Sequence, residues 1–228
     1  MRAGVAPIPS LPLAFCLVAA LGLAPRPSAA QQPVFAYGGL AGYQDGVAVQ
    51  GFVTAREIAP GLPVEVRLRV GRTSVEAGSS SQARRVFINN ATNGTPVESG
   101  RTWDLGLDLM VRRGERSRLW AGLRQSRFLA NFKYVGGNED FDVTSRHWGV
   151  AAGAEAAYPL GRRLELVVSG GGEYYFPSRL QGHDTSYAPD GDHVNPREDF
   201  TYDDADAAVG QPRWRPVVLV GVSWRRGP

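Results

Sequence analysis

The chain has 228 residues, with 25 Lys plus Arg against 22 Asp plus Glu, 28 glycines and a single cysteine, Cys16. The near-neutral balance gives no footing for nucleic acid. One cysteine excludes a disulfide-stapled fold, and no stretch after residue 30 approaches the roughly eighteen consecutive apolar residues of a transmembrane helix.

Taken in order, the first element is a leader. Arg2 supplies a positive start, Leu11 to Ala24 is apolar, and Ser28-Ala29-Ala30 precedes Gln31 as a small-residue cleavage signal. Residues 1–30 therefore read as a cleaved secretory signal peptide. Phe15 before Cys16 is too large for a lipid-attachment site, so lipidation is not expected. Residues 31–228 then form one exported, cysteine-free domain. Without Arg2 and Arg26 its balance is 23 basic to 22 acidic residues.

The remaining chain reads as all-β. Strands are expected near 34–44, 47–57, 64–76, 101–112, 118–133, 145–158, 163–176 and 213–225. Their evidence is strict alternation, since side chains of a strand point to opposite faces. Val64-Glu-Val-Arg-Leu-Arg-Val70 alternates throughout, as do Trp103, Leu105, Leu107, Leu109 and Val111 against Asp104, Gly106 and Asp108. Trp148, Val150, Ala152, Ala154 and Tyr158 alternate with His147, Gly149, Gly153 and Glu155; Trp214, Val218, Val220, Val222 and Trp224 alternate with Arg215, Gly221 and Ser223. The first strand, VFAYGGLAGYQ, is too rich in glycine for its faces to be assigned.

Short turns at 57–63, 113–117 and 159–162 alternate with long polar connections at 77–100, 134–144 and 177–212; only the first connection, 44–46, breaks the rule. Short turns at one rim and long loops at the other are the pattern of an eight-stranded antiparallel up-and-down transmembrane β-barrel. Aromatic residues collect at both sets of strand ends. Trp103, Tyr134, Trp148, Tyr174, Phe176 and Trp214 lie beside the long loops, and Trp120, Tyr158 and Trp224 beside the short turns, as two membrane-interface belts would. The apolar parity then faces lipid. The opposite parity carries Glu65, Arg67, Arg69, Asp104, Asp108, Arg124, Glu155, Glu165, Glu173 and Arg215, mixed acids and bases suited to a mutually neutralising lumen. Eight strands enclose only enough space for their own side chains, so the lumen should be closed to solutes. In the fifth strand Leu119, Ala121 and Leu123 share one parity and Phe128, Phe132 and Tyr134 the other, which predicts a β-bulge near Gln125 to Arg127.

With its signal peptide, the strands Val64–Val70 and Trp103–Val111 and the closing WRPVVLVGVSW, the chain resembles the small eight-stranded outer-membrane barrels of the OmpA/OmpX and opacity-protein type over about residues 32 to 226. Such barrels commonly end on an aromatic residue read by the insertion machinery; here Trp224 is followed by Arg225-Arg226-Gly227-Pro228. The resemblance implies an outer-membrane location in a double-enveloped bacterium, contact with membrane lipid and lipopolysaccharide, and a non-enzymatic role. That role would be surface interaction, adhesion or envelope integrity through loops 77–100 and 177–212, with no nucleic acid and no cofactor.

Two alternatives are weighed. A lipid-modifying enzyme would use Ser145 and His147, which share a parity, with Glu173 or Glu155 as orienting acid, although TSRHWG lacks the His-X-Ser-Asn arrangement of the deacylase family. A soluble lipocalin-like carrier would turn the apolar faces inward, and its cavity should not be lined with Glu65, Arg67, Arg69, Asp104 and Asp108. In the last loop Asp190, Asp192, Asn195 and Glu198 are oxygen donors of the type calcium prefers, though not at EF-hand spacing; a solvated acidic loop is the plainer reading. Arg84, Arg85, Phe87 and Ile88 offer a contact surface in loop 77–100. Asn90-Ala-Thr and Asn93-Gly-Thr match the glycosylation pattern, by chance if the protein is bacterial.

Overall fold

The computed structural model describes residues 34–58 and 61–225. The expected signal peptide lies outside the described residues. The strands are β1 (Val34–Gln44), β2 (Val47–Arg56), β3 (Val64–Val75), β4 (Thr95–Arg113), β5 (Ser117–Val135), β6 (Asp140–Pro159), β7 (Leu164–Tyr175), β8 (Leu180–Gly182), β9 (Thr185–Tyr187) and β10 (Trp214–Arg225). Two short helices, α1 (Ser80–Phe87) and α2 (Tyr202–Ala208), lie in the first and last long connections. Each barrel strand pairs antiparallel with its neighbour in sequence, and β10 pairs with both β7 and β1. The result is a closed eight-stranded up-and-down barrel. The short β8–β9 hairpin is added to the upper end of β6.

Strict alternation sets the two faces. On β4 every residue from Gly100 to Met110 with even number is buried, and Trp103, Leu105, Leu107 and Leu109 are exposed. Asp45 and Gly46 both take positive φ in the turn joining β1 to β2, the backbone that a tight hairpin of right-twisted strands requires.

The wall is uneven. β4, β5 and β6 run 19, 19 and 20 residues, whereas β1, β2, β3, β7 and β10 run 10 to 12. Segments 95–100, 134–135 and 140–144, expected in loops, are strand. Above the level of Arg127 the three long strands continue for about 20 Å, allowing for tilt.

The expected bulge in β5 is absent. Its register against β4 and β6 is unbroken from Ser117 to Lys133. Phe128, Phe132 and Tyr134 are simply inward-facing, as are Trp120 and Arg124. The inside changes character with height while the alternation holds: low down it is charged, and high up it is apolar. Phe128, Phe132, Phe141 and Val143 pack there with Ala83, Val86 and Phe87 of α1, Leu180 and Tyr187 of the hairpin, and Ala205 and Ala208 of α2.

Candidate functional site

Three layers fill the barrel. Lowest, at the short-turn end, Arg56 of β2 reaches Glu165 of β7 at 2.8 Å and Glu65 of β3 at 3.5 Å. Arg118 joins Glu65 at 3.4 Å and Glu155 at 3.1 Å, and Arg67 meets Glu155 in a paired contact at 2.5 and 3.0 Å. Above it, Asp108 is shared by Arg69 and Arg124, and Arg124 also binds Glu173 at 2.7 Å. Glu173 accepts further hydrogen bonds from Gln44 and Tyr175, and Arg215 faces Asp104 at 3.3 Å. Of these pairs, Arg56–Glu165, Arg67–Glu155, Arg124–Glu173 and Arg215–Asp104 cross the lumen between strands that are not neighbours, so they tie the closed barrel together as well as neutralising charge. Six buried arginines (56, 67, 69, 118, 124 and 215) stand against six carboxylates (65, 104, 108, 155, 165 and 173), and the exposed Arg112 at the short-turn rim adds a contact to Glu65 at 2.8 Å. Every residue expected in the lumen faces it. Arg56 and Arg118 were not anticipated; Arg118 shares the parity of Arg124, and that was the available signal.

One inner wall is apolar: Leu40, Ala48, Phe52, Val167, Val217 and Leu219. Phe52 lies 4.2 Å beneath the Arg67 guanidinium, so the charged and greasy walls meet through a cation–π contact.

Two belt assignments are corrected. Trp120 is 2% exposed and lies inside, under Arg69 and Arg124. It fits because Gly153 and Gly171 face it; a Cβ at either would come within 2.4 or 2.8 Å of the indole. Position near a rim suggested a belt, but parity decides. Tyr134, 6% exposed, also faces inward, its hydroxyl donating to the Ser80 carbonyl at 2.6 Å. The exposed aromatics on the long-loop side are Trp103, Trp148, Tyr174, Phe176 and Trp214, joined by Tyr43; on the short-turn side Tyr158 and Trp224 are joined by Phe35 and Tyr37. The three from β1 were hidden by its glycines.

The top layer is an ordered cap. Tyr187 stands at its centre, donating to the Val86 carbonyl at 3.0 Å and accepting from the Arg197 amide at 3.0 Å, with its ring edge-on to Phe87. Loops 77–100 and 177–212 are joined by an isolated bridge between Gly78 and Val209. Arg84 and Phe87, expected in a contact surface, are buried in this cap: Arg84 binds Asn93 at 2.8 and 2.9 Å and lies over the Tyr134 ring. Arg85 alone of that quartet is exposed; Ile88 is partly buried.

The enzymatic candidates are partly assembled. Ser145 Oγ lies 2.6 Å from His147 Nε2, and His147 Nδ1 is 3.0 Å from the Phe176 carbonyl. That carbonyl can only accept, so Nδ1 carries the proton and Nε2 accepts from Ser145. The orienting partner is a backbone carbonyl. Glu173 is engaged by Arg124, Gln44 and Tyr175, and Glu155 by Arg67 and Arg118. The proposed calcium donors do not converge. Asp192 is paired with Arg179, Asp190 accepts from the Asp192 amide, and Asn195 donates to the Asp184 carbonyl. Among the described residues no group of three or more His, Cys, Asp or Glu side chains is placed to hold a metal ion.

No protein-family model and no curated protein matches the chain. Among solved structures it is similar to a major outer membrane protein from Thermus thermophilus, at 24% identity and a TM-score of 0.68, covering 86% of this chain and 100% of that one. Neisserial surface protein A (12% identity, TM-score 0.39, 84% and 94% covered) and Ail, the attachment invasion locus protein of Yersinia pestis (12% identity, TM-score 0.42, 85% and 97% covered), align over similar lengths. The Thermus likeness agrees with the eight-stranded barrel fold.

Proposed function

We propose that this protein is a non-enzymatic outer-membrane barrel with a side-chain-filled lumen, acting at the cell surface through its ordered cap. The observation that carries this reading is the inversion of polarity across the wall. The charged network is inside. Between the two aromatic belts the outward positions of β3, β4, β5, β6 and β10 carry Leu68, Leu107, Leu123, Val150 and Val220, and among the described residues no charged side chain faces out there. The band fits a bilayer. From Trp148 to Tyr158 along β6 is about 33 Å of strand, or about 25 Å of height at the tilt of such barrels, matching their usual apolar band. A soluble carrier would have to leave this band in water, which is far larger than the patches monomers tolerate.

The test is fractionation of cells making the full chain, with electrophoresis of boiled and unboiled samples. The expected result is recovery with the outer membrane and a mobility that changes on heating. Recovery in the soluble periplasm, with no heat-dependent shift, overturns the reading. The Ser145–His147 hydrogen bond supports a second reading, a lipid-modifying enzyme; a change in membrane-lipid acylation that is lost in Ser145→Ala would favour it.

A further inference from the structure

On the outer face of β5 and β6, Arg127 and Arg146 stand directly opposite each other in register. Both are exposed. Like charges at directly opposed positions of an antiparallel pair repel, and among the described residues neither guanidinium has a carboxylate partner. Arg179, from the segment after β7, forms the third corner and is held by Asp192. The three arginines line a cavity of about 330 Å³ together with Thr144, Ser145 and Ser178. A second groove, of about 290 Å³, shares Arg127 and Arg146 and is lined further by Val70, Trp103, Leu105, Gln125 and Ser126 and by Asp104, whose carboxylate is held on the lumen side by Arg215 and Thr102. One cavity is cationic and rich in hydroxyls; the other lies on the outer wall and carries an apolar strip, Val70, Trp103 and Leu105. Their depth is fixed by the register, because Arg127 is the cross-strand partner of Trp103, a belt residue.

We propose that this pair of grooves binds a membrane lipid carrying a phosphate monoester on its headgroup. Arg127, Arg146 and Arg179 would donate to the phosphate oxygens, and one acyl chain would lie along Val70, Leu105 and Trp103. This rests on the membrane reading above. The charge count selects the headgroup. Two uncompensated guanidiniums call for two negative charges; a phosphodiester supplies one, whereas a monoester carries about −1.5 to −2 at neutral pH. Guanidinium forks suit phosphate oxygens in paired, charge-assisted hydrogen bonds. The bound phosphate would also remove the repulsion between the opposed arginines, so lipid binding and strand pairing reinforce each other.

The test uses the full-length protein refolded into phosphatidylcholine nanodiscs doped with phosphatidic acid, a monoester, or with phosphatidylglycerol, a diester. Lipid retained on release is read by native mass spectrometry. Phosphatidic acid should be retained about tenfold over phosphatidylcholine, the equivalent of one charge-assisted hydrogen bond, and clearly over phosphatidylglycerol. Arg127→Gln/Arg146→Gln should abolish the preference while keeping the heat-dependent mobility of the folded barrel. Equal retention of phosphatidylglycerol, or a double variant that retains phosphatidic acid as wild type does, overturns the proposal. So does competition by inorganic phosphate alone at the same concentration, which would make this a free-anion site. A wild-type protein that fails to insert overturns the membrane reading instead, so the two failures are distinct.

Discussion

At the scale of single residues, Trp120 shows how parity overrides position. The chain has five tryptophans, and four of them, Trp103, Trp148, Trp214 and Trp224, are between 43% and 66% exposed on the outer wall. Proteins retaining one tryptophan each, reconstituted with brominated lipids, should show quenching for Trp103 and Trp148 and little for Trp120; equal quenching of Trp120 would return it to the belt. Arg67 offers a second test. Its loss from a buried pair would ordinarily cost about 3–5 kcal/mol, but Glu155 keeps Arg118 at 3.1 Å. Arg67→Ala should therefore lower unfolding stability by less than that range while the barrel still inserts. A loss at the top of the range, measured by denaturant titration in micelles, would mean that Arg118 does not compensate.

At the scale of elements, the strands were legible wherever large apolar side chains alternate with polar ones, as in β3, β4, β6 and β10. β1 was not, because glycine at positions 38, 39 and 42 leaves no pattern to read. The top of β5 misled for a different reason. Alternation reports only which residues share a face, and Phe128 and Phe132 face inward into an apolar plug that the sequence of one strand does not announce. The plug takes α1, α2 and the β8–β9 hairpin from segments distant in sequence. The opposed Arg127 and Arg146 were equally hidden, since they meet only when the β5–β6 register is known. Within the cap, α2 is secured by a reciprocal cap: Asp204 accepts from the Thr201 amide and hydroxyl, each at 2.7 Å, and returns its own amide to the Thr201 oxygen. The Thr201 hydroxyl, and then its amide, hold the Asp204 carboxyl below its ordinary value of 3.8. A lowered carboxyl stabilises the helix above that ordinary value and ceases to as pH falls through the folded one. Amide exchange in residues 202–208 should thus be slower in wild type than in Thr201→Val at neutral pH, and the difference should narrow as the pH falls below 3.8 through the lowered folded value, down to the part that the Asp204 amide's bond to the Thr201 hydroxyl keeps at any pH. A gap independent of pH would assign it to something other than the carboxylate.

At the scale of the whole molecule, the outward band decides whether the barrel assembles. Leu107, midway down β4 and exposed on its outer face, is the sharpest probe. Leu107→Arg places a cation near the bilayer midplane at a cost of about 2–4 kcal/mol, and should reduce the assembled protein in the outer membrane sharply, whereas a charge introduced at exposed Asn90 of the cap should leave it unchanged. Normal assembly of Leu107→Arg would mean that the faces are reversed. The ion-paired lumen beneath an apolar plug should likewise pass no steady current in a planar bilayer; sustained conductance would make the protein a pore.

The balance of six arginines and six carboxylates in the lumen has one further consequence. A transmembrane voltage does work on net charge, about 2.3 kcal/mol per elementary charge for each 100 mV. A plug whose charges cancel feels no net electrical force along the axis. Voltage alone cannot drive it out or draw it in, so the buried network would be electrically indifferent to any membrane around the barrel.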